Sequence, residues 1–196
     1  MTTYAELMPY LVPELPGAHT PQILRAIREG VREFCLVTGA WWKDLDAIDI
    51  VADQQEYDLA ASLPSDSDIA ALRWVKVDDA IQDPTHFILS ESATLRWRDN
   101  YIPARAITDG LKVSVTLLPA LADDALAEWV LTRWYRGIVS FILVDMLSDP
   151  HRLYGRTGRL PYWQAEKDKW EHRAKFAAVH NHVNQDFRAG GTDWLI

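Results

Sequence analysis

Residues 106–115 read AITDGLKVSV, two apolar β-forming runs on either side of Asp109-Gly110. Both central residues tolerate positive φ, so the pair predicts a hairpin turn. The same character extends upstream. AIDIVA (47–52), EYDLA (56–60), ALRWVKVDD (71–79), HFILSES (86–92) and TLRWRD (94–99) are short runs rich in β-formers, separated by Asp, Ser and Pro clusters. Residues 41–118 are therefore expected to form a small antiparallel β domain.

On both sides of this region the period changes from two to between three and four. Thr3 and Glu6 have capping-box spacing, and Tyr4, Leu7, Met8 and Leu11 follow at helical intervals. A first helix is expected over 3–14, bent or shortened by Pro9. After the connector PGAHT, Thr20 caps and Pro21 opens a second helix with Ile23, Ile27, Val31 and Phe34 on one stripe, and Gly39 ends it. Beyond Pro119, Asp123 and Asp124 suit a helix N-terminus. Leu126, Trp129, Val130, Trp134, Ile138, Phe141 and Ile142 then recur at spacings of three and four. SDPHRLYGRTGRLP (148–161) breaks that helix, Pro161 opens a last one to about Phe187, and Gly190-Gly191 stops it. The expected fold class is α+β. Two N-terminal helices (1–40) and two long C-terminal helices (119–188) form a bundle, the small β domain is inserted between them, and an extended tail (189–196) follows.

Composition narrows the function. The chain has 196 residues, is 48% apolar and 24% charged, and carries a formal net charge of −8. That charge argues against a dedicated nucleic-acid binder, which needs clustered Lys and Arg, but not against a surface that nucleic acid passes without sticking. The single cysteine, Cys35, forbids an intrachain disulfide and fits a reducing compartment. The start MTTYAELMPYLVPEL lacks a basic n-region, so no signal peptide is expected. The most apolar run, GIVSFILVDML (137–147), is too short to span a bilayer. Nine tryptophans are either anchors of a thin core or subunit contacts.

Candidate chemistry is sparse. His180-Asn181-His182 invites a metal or nuclease reading, but on a helix the two imidazoles point about 200° apart and cannot share an ion. Asp44/Asp46/Asp49, Asp66/Asp68, Asp78/Asp79 and Asp123/Asp124 have no calcium-loop spacing and read as turn and cap residues. No G-x-S-x-G elbow is present, and Cys35 beside Phe34 reads as packed. No catalytic residue, cofactor or metal ligand is expected. GRTGR (155–159), with Arg152, Arg156 and Arg159, is a small basic patch that lacks the ending of a phosphate loop. It is a solvated loop or a contact for an acidic partner. The last helix carries two stripes, Trp163, Trp170, Ala174 and Ala177, and beside them Phe176, Val179, Val183 and Phe187. One stripe can pack within the subunit while the other meets a neighbour. After the double glycine, Trp194, Leu195 and Ile196 form an apolar end that folds back on its own domain or inserts into a partner.

The order of these pieces resembles the head-to-tail adaptor (connector) proteins of tailed bacteriophages. YAELMPYLVPELPGAHTPQILRAIREGVREFCLVTGAWW is followed by QQEYDL, ALRWVKVDD and TDGLKVSVTLLPAL, then by a long helix, a break and a second long helix ending VNQDFRAGG. The likeness covers nearly the whole chain and rests on the order of elements more than on any one motif. It implies a virion structural protein without catalytic chemistry, made in the host cytoplasm and placed at the head–tail junction. It further implies a homo-oligomeric ring, typically of twelve copies, under the portal protein and above tail or nozzle proteins. DNA would pass through the channel during genome ejection without specific binding, and no membrane is involved. Arg188, Gly190, Gly191, Trp194, Leu195 and Ile196 would then form the portal-docking tail. Where a longer, more basic end is expected in this family, only five residues follow the double glycine here. A ring requires heterologous contacts, one face of each subunit meeting a different face of the next. Trp163, Trp170, Phe176, Val179, Val183 and Phe187 are the candidates for them.

Other readings stand beside this one. A tail-completion protein that binds the tail tube belongs to the same class. A carboxylate-dependent cell-wall hydrolase and a ligand-binding α+β module belong to different ones. Turnover, oligomeric state and ligand-raised melting temperature distinguish them.

Overall fold

The computed structural model describes residues 2–90, 92–120, 125–152, 154–156 and 158–180. They divide into two compact units, one built from residues 1–40 with 127 onward, the other Trp41–Leu126.

In the helical unit, β1 (Thr2–Thr3) leads into a stretch that two prolines prevent from becoming one helix. Pro9 and Pro13 each lack the N–H that an α-helix would donate. The stretch is a 3-10 turn (Tyr4–Leu7), a single α turn α1 (Met8–Leu11) and another 3-10 turn (Val12–Glu14). Its apolar stripe survives the change: Tyr4, Leu7, Leu11 and Leu15 are all buried. Helix α2 (Thr20–Thr38) follows, with His19 rather than Thr20 as its N-cap residue. The His19 N–H donates to Gln22 Oε1 at 3.4 Å. Gly39 closes the helix at φ 63°, returning its N–H to the Cys35 carbonyl at 2.9 Å. Ile23, Ile27, Val31 and Phe34 are buried, as their spacing requires.

Helix α3 (Glu128–Leu147) is the centre of this unit. Val130, Trp134, Ile138, Phe141 and Ile142 are buried, and from Gly137 to Leu143 every residue is covered. Phe34 of α2 meets Phe141 edge-on with ring centroids 5.4 Å apart. Two glycines permit the close approach of the helices. A Cβ on Gly30 would lie 2.5 Å from Ile142 Cγ1, and one on Gly137 would lie 2.9 Å from the Phe34 ring. Helix α4 (Leu160–His180) lies along α2 and α3, yet only Ala174 of it is fully buried.

The β unit contains β2 (Trp42–Asp44), β3 (Ile48–Ile50), β4 (Glu56–Asp58), β5 (Ser67–Val77), β6 (Ala80–Ile81), β7 (Phe87–Leu89), β8 (Thr94–Trp97), β9 (Ile107–Pro119) and β10 (Ala125–Leu126). The main sheet runs β2-β9-β5-β6, with β3 also on β9. A second sheet runs β4-β8-β7, and all pairings in both are antiparallel. From Val113 to Pro119 every residue of β9 is buried, the mark of a strand covered on both faces. Register shifts between Ile69 and Ala71 and between Leu72 and Trp74 bend β5 and coil the sheet. Tyr57, Leu95, Phe87 and Trp97 form the core of the smaller sheet, with the Phe87 and Trp97 rings 4.5 Å apart.

The fold read from sequence needs correction. The protein is α+β with antiparallel sheets, but it is not a helical bundle carrying a small β insertion. The first expected helix is broken by its prolines. The last is a surface helix with a thin buried edge, not an equal member of a bundle. The β region is a compact unit with its own core, organised by a 13-residue and an 11-residue strand. Asp109-Gly110 is not a hairpin turn either. It lies inside β9 at a register shift where Ile48 pairs with Leu111 and Ile50 with Ile107. Asp109 does adopt positive φ, 50°, and its N–H donates to Asp49 Oδ1 at 2.8 Å. The tight hairpin is at Asp78-Asp79, both at positive φ, joining β5 to β6 with Val77 opposite Ala80.

Candidate functional site

Helix α4 carries most of the residues singled out from sequence. Trp163, Lys167, Trp170, Ala174 and Ala177 recur every three or four residues and form its covered edge. Trp163 Nε1 donates to Glu14 Oε2 at 3.3 Å, and Trp170 Nε1 to Glu166 Oε2 at 3.1 Å. The Lys167 ammonium sits 4.2 Å from the Phe141 ring centroid and 3.2 Å from Glu33 Oε1. Both tryptophans are thus held within the chain. Phe176 and Val179 lie on the opposite edge, 64% and 65% exposed. His180 stacks on Phe176 at 3.7 Å, and its Nδ1 lies 2.9 Å from the Phe176 carbonyl oxygen, which accepts its hydrogen bond. Val183, Phe187, His182 and the whole proposed tail (Arg188, Gly190, Gly191, Trp194, Leu195 and Ile196) lie outside the described residues, as do Asp123 and Asp124.

The basic patch does not act as one cluster. Arg152 pairs with Asp149 at 3.4 Å, and Arg159 pairs with Glu14. Arg156 closes a 3-10 turn, Tyr154–Arg156. Two acidic residues outside the clusters picked from sequence cap short turns. Asp58 accepts the Ala60 N–H, and Asp83 accepts both the N–H and hydroxyl of Thr85, which hold its carboxyl below the usual range. Asp79 is likewise lowered, first by its hydrogen bond from Lys112. Among the described residues no three His, Cys, Asp or Glu side chains are grouped to hold a metal. No helix among them is long and apolar enough to cross a membrane.

One concave feature in the helical unit escaped the sequence reading. A groove of about 280 Å³ is lined by Tyr10, Glu14, Tyr135, Arg136, Val139, Tyr162, Trp163 and Glu166. The Tyr10 and Tyr135 rings are 5.2 Å apart, and Tyr162 meets Trp163 edge-on at 5.0 Å. Tyr10 and Tyr162 are 51% and 60% exposed. The signal in the sequence was weak but real: these tyrosines stand off the apolar stripes of their elements. Proline breaks near Tyr10 and a wide turn before Tyr162 hid that they converge.

No protein-family model matches the chain, and no curated protein is significantly similar to it.

Proposed function

We propose that the protein is a structural component of a tailed-phage virion, a head-to-tail adaptor that joins capsid to tail and continues the DNA channel. The observation that supports this most is α4. It is anchored to its own subunit along one edge and leaves Phe176 and Val179 exposed on the other. In sequence the same three-and-four spacing of apolar residues runs on to Val183 and Phe187, before RAGGTDWLI. A helix anchored on one edge and apolar on the other suits a heterologous contact between ring neighbours. The ring, its copy number near twelve, the portal as partner and a place at the head–tail junction all belong to this proposal.

Co-expression with a portal protein tests it. The full chain and a version ending at Gly190 are tagged, captured, and their partners identified by native mass spectrometry. Capture of a portal ring by the full chain alone supports both the adaptor reading and the docking role of residues 191–196. Capture of a tube protein by both versions makes it a tail-completion component instead. Capture of nothing overturns the structural reading, and turnover of a cell-wall substrate would replace it.

A further inference from the structure

The aromatic groove is charged in an uneven way. Glu14 is engaged by Arg159 and by the Trp163 indole, and Glu166 by Lys169 at 2.8 Å and by the Trp170 indole. Both carboxylates are therefore already ion-paired with a neighbour. Arg136 is not. Its Nε donates to the Tyr135 hydroxyl at 2.9 Å, and among the described residues it has no carboxylate partner within ion-pair distance, although Glu166 lies near enough to be felt. The groove thus offers three tyrosines, a tryptophan and one guanidinium that a tyrosine hydroxyl holds but no carboxylate pairs. Its volume is below the ~300–1,000 Å³ of sites that enclose a whole small-molecule ligand, and it suits one or two side chains of a peptide. A guanidinium beside aromatic walls recognises a carboxylate next to an aromatic or apolar residue.

We propose that this groove is a docking site for the chain's own residues 192–196, TDWLI, with Trp194 against the tyrosines and Asp193 on Arg136. That segment offers the required pair, an acid directly before a large aromatic residue, followed by two aliphatic ones. Reach does not limit it. Trp163 and His180 are about 25 Å apart along α4 at 1.5 Å per residue. Residues 181–194 span up to about 46 Å when extended. The segment reaches the groove of its own subunit as well as that of a neighbour. The inference does not rest on the adaptor reading, because groove and segment belong to this chain whatever its partner.

The test places a photo-crosslinking benzoylphenylalanine at position 194 of the full chain and maps the products by mass spectrometry. Crosslinks should fall on the segments containing Tyr10, Tyr135–Val139 and Tyr162–Trp163. Arg136→Glu should lower their yield about tenfold, as expected for losing one charge-assisted contact. Adding Asp193→Arg to that variant should restore them. The exposed position of Arg136 makes misfolding an unsuitable explanation for a loss that the charge swap rescues. A crosslinked monomer or a crosslinked dimer both support the docking and tell which subunit supplies the segment. Crosslinks mapping elsewhere, no crosslinks, or a yield indifferent to Arg136→Glu would overturn it. Portal capture is scored separately, so failure of one proposal leaves the other visible.

Discussion

Ala93 holds φ 58°, a conformation in which a Cβ crowds the following carbonyl at about 1–2 kcal/mol. It is retained because the Ala93 N–H donates to Ser90 and its carbonyl accepts from Leu59, fixing the turn before β8. Ala93→Gly removes the crowding and gives back part of the gain as unfolded-state entropy. Chemical denaturation should show the variant more stable by roughly 0.5–1 kcal/mol, with an unchanged denaturant slope. Cys35 offers a second test. Its thiol is fully enclosed, and burial pushes it from 9.0 up to about 12. A native chain should resist alkylation at pH 8 and react fully in denaturant. The folded state holds this proton more tightly than the unfolded one, so the thiol makes no pH-dependent contribution below about pH 9. Stability should fall as pH rises from about 9 towards 12. The packing of Cys35 was legible from its place beside Phe34 on an apolar stripe. The role of Asp109 was only half legible: its tolerance of positive φ was readable, but a bulge and a turn make the same demand on one residue.

Among the elements, α2 and α3 show how little room their packing leaves. Gly137→Val would drive side-chain atoms into the Phe34 ring and towards Trp170, whose Cβ is 3.2 Å from the added atom. The expected cost is about 1–3 kcal/mol of overpacking, read as a lower thermal midpoint. If the midpoint is unchanged, the close approach of the helices is wrong. The apolar period of α2 and α3 was readable because both bury a wide face. That of α4 was less so. Its covered edge mixes Trp163, Lys167 and Trp170 with alanines, and the lysine counts as polar although its ammonium lies over the Phe141 ring. The groove was not legible beyond three tyrosines that stand off the apolar stripes of their elements. Its rings come from three separate segments, and no local spacing records that they meet.

At the scale of the molecule, the second unit (Trp41–Leu126) has its own core and a sheet that pairs its first strand with its last long one, Trp42 opposite Thr116. Residues 41–126 produced alone should therefore give a strand-rich circular dichroism spectrum and a cooperative melt. A chain that stays unstructured would show that the unit depends on the helices. The net charge of −8 gives a second outcome: in a gel-shift assay at about 50 mM salt, duplex DNA should migrate unretarded beside the protein. Retention would count against a channel lining that lets DNA slide. The division between helical and strand regions was readable, because the period changes near residues 41 and 119. Their relative weight was not, since short apolar runs do not announce that two of them join strands of 11 and 13 residues.

Strand β9 also sets a timetable for the chain as it leaves the ribosome. Strands β2 and β3 and most of β5 find their partner in it, and it is synthesised after every one of them. Three nascent segments must wait, with their backbone groups open to solvent, until residues 107–119 emerge. Helix α2 waits longer still, for α3 beyond residue 127. Such late, non-local closure predicts refolding in milliseconds to seconds, not microseconds. It also makes the interval before β9 appears the period when this protein most depends on being shielded from copies of itself.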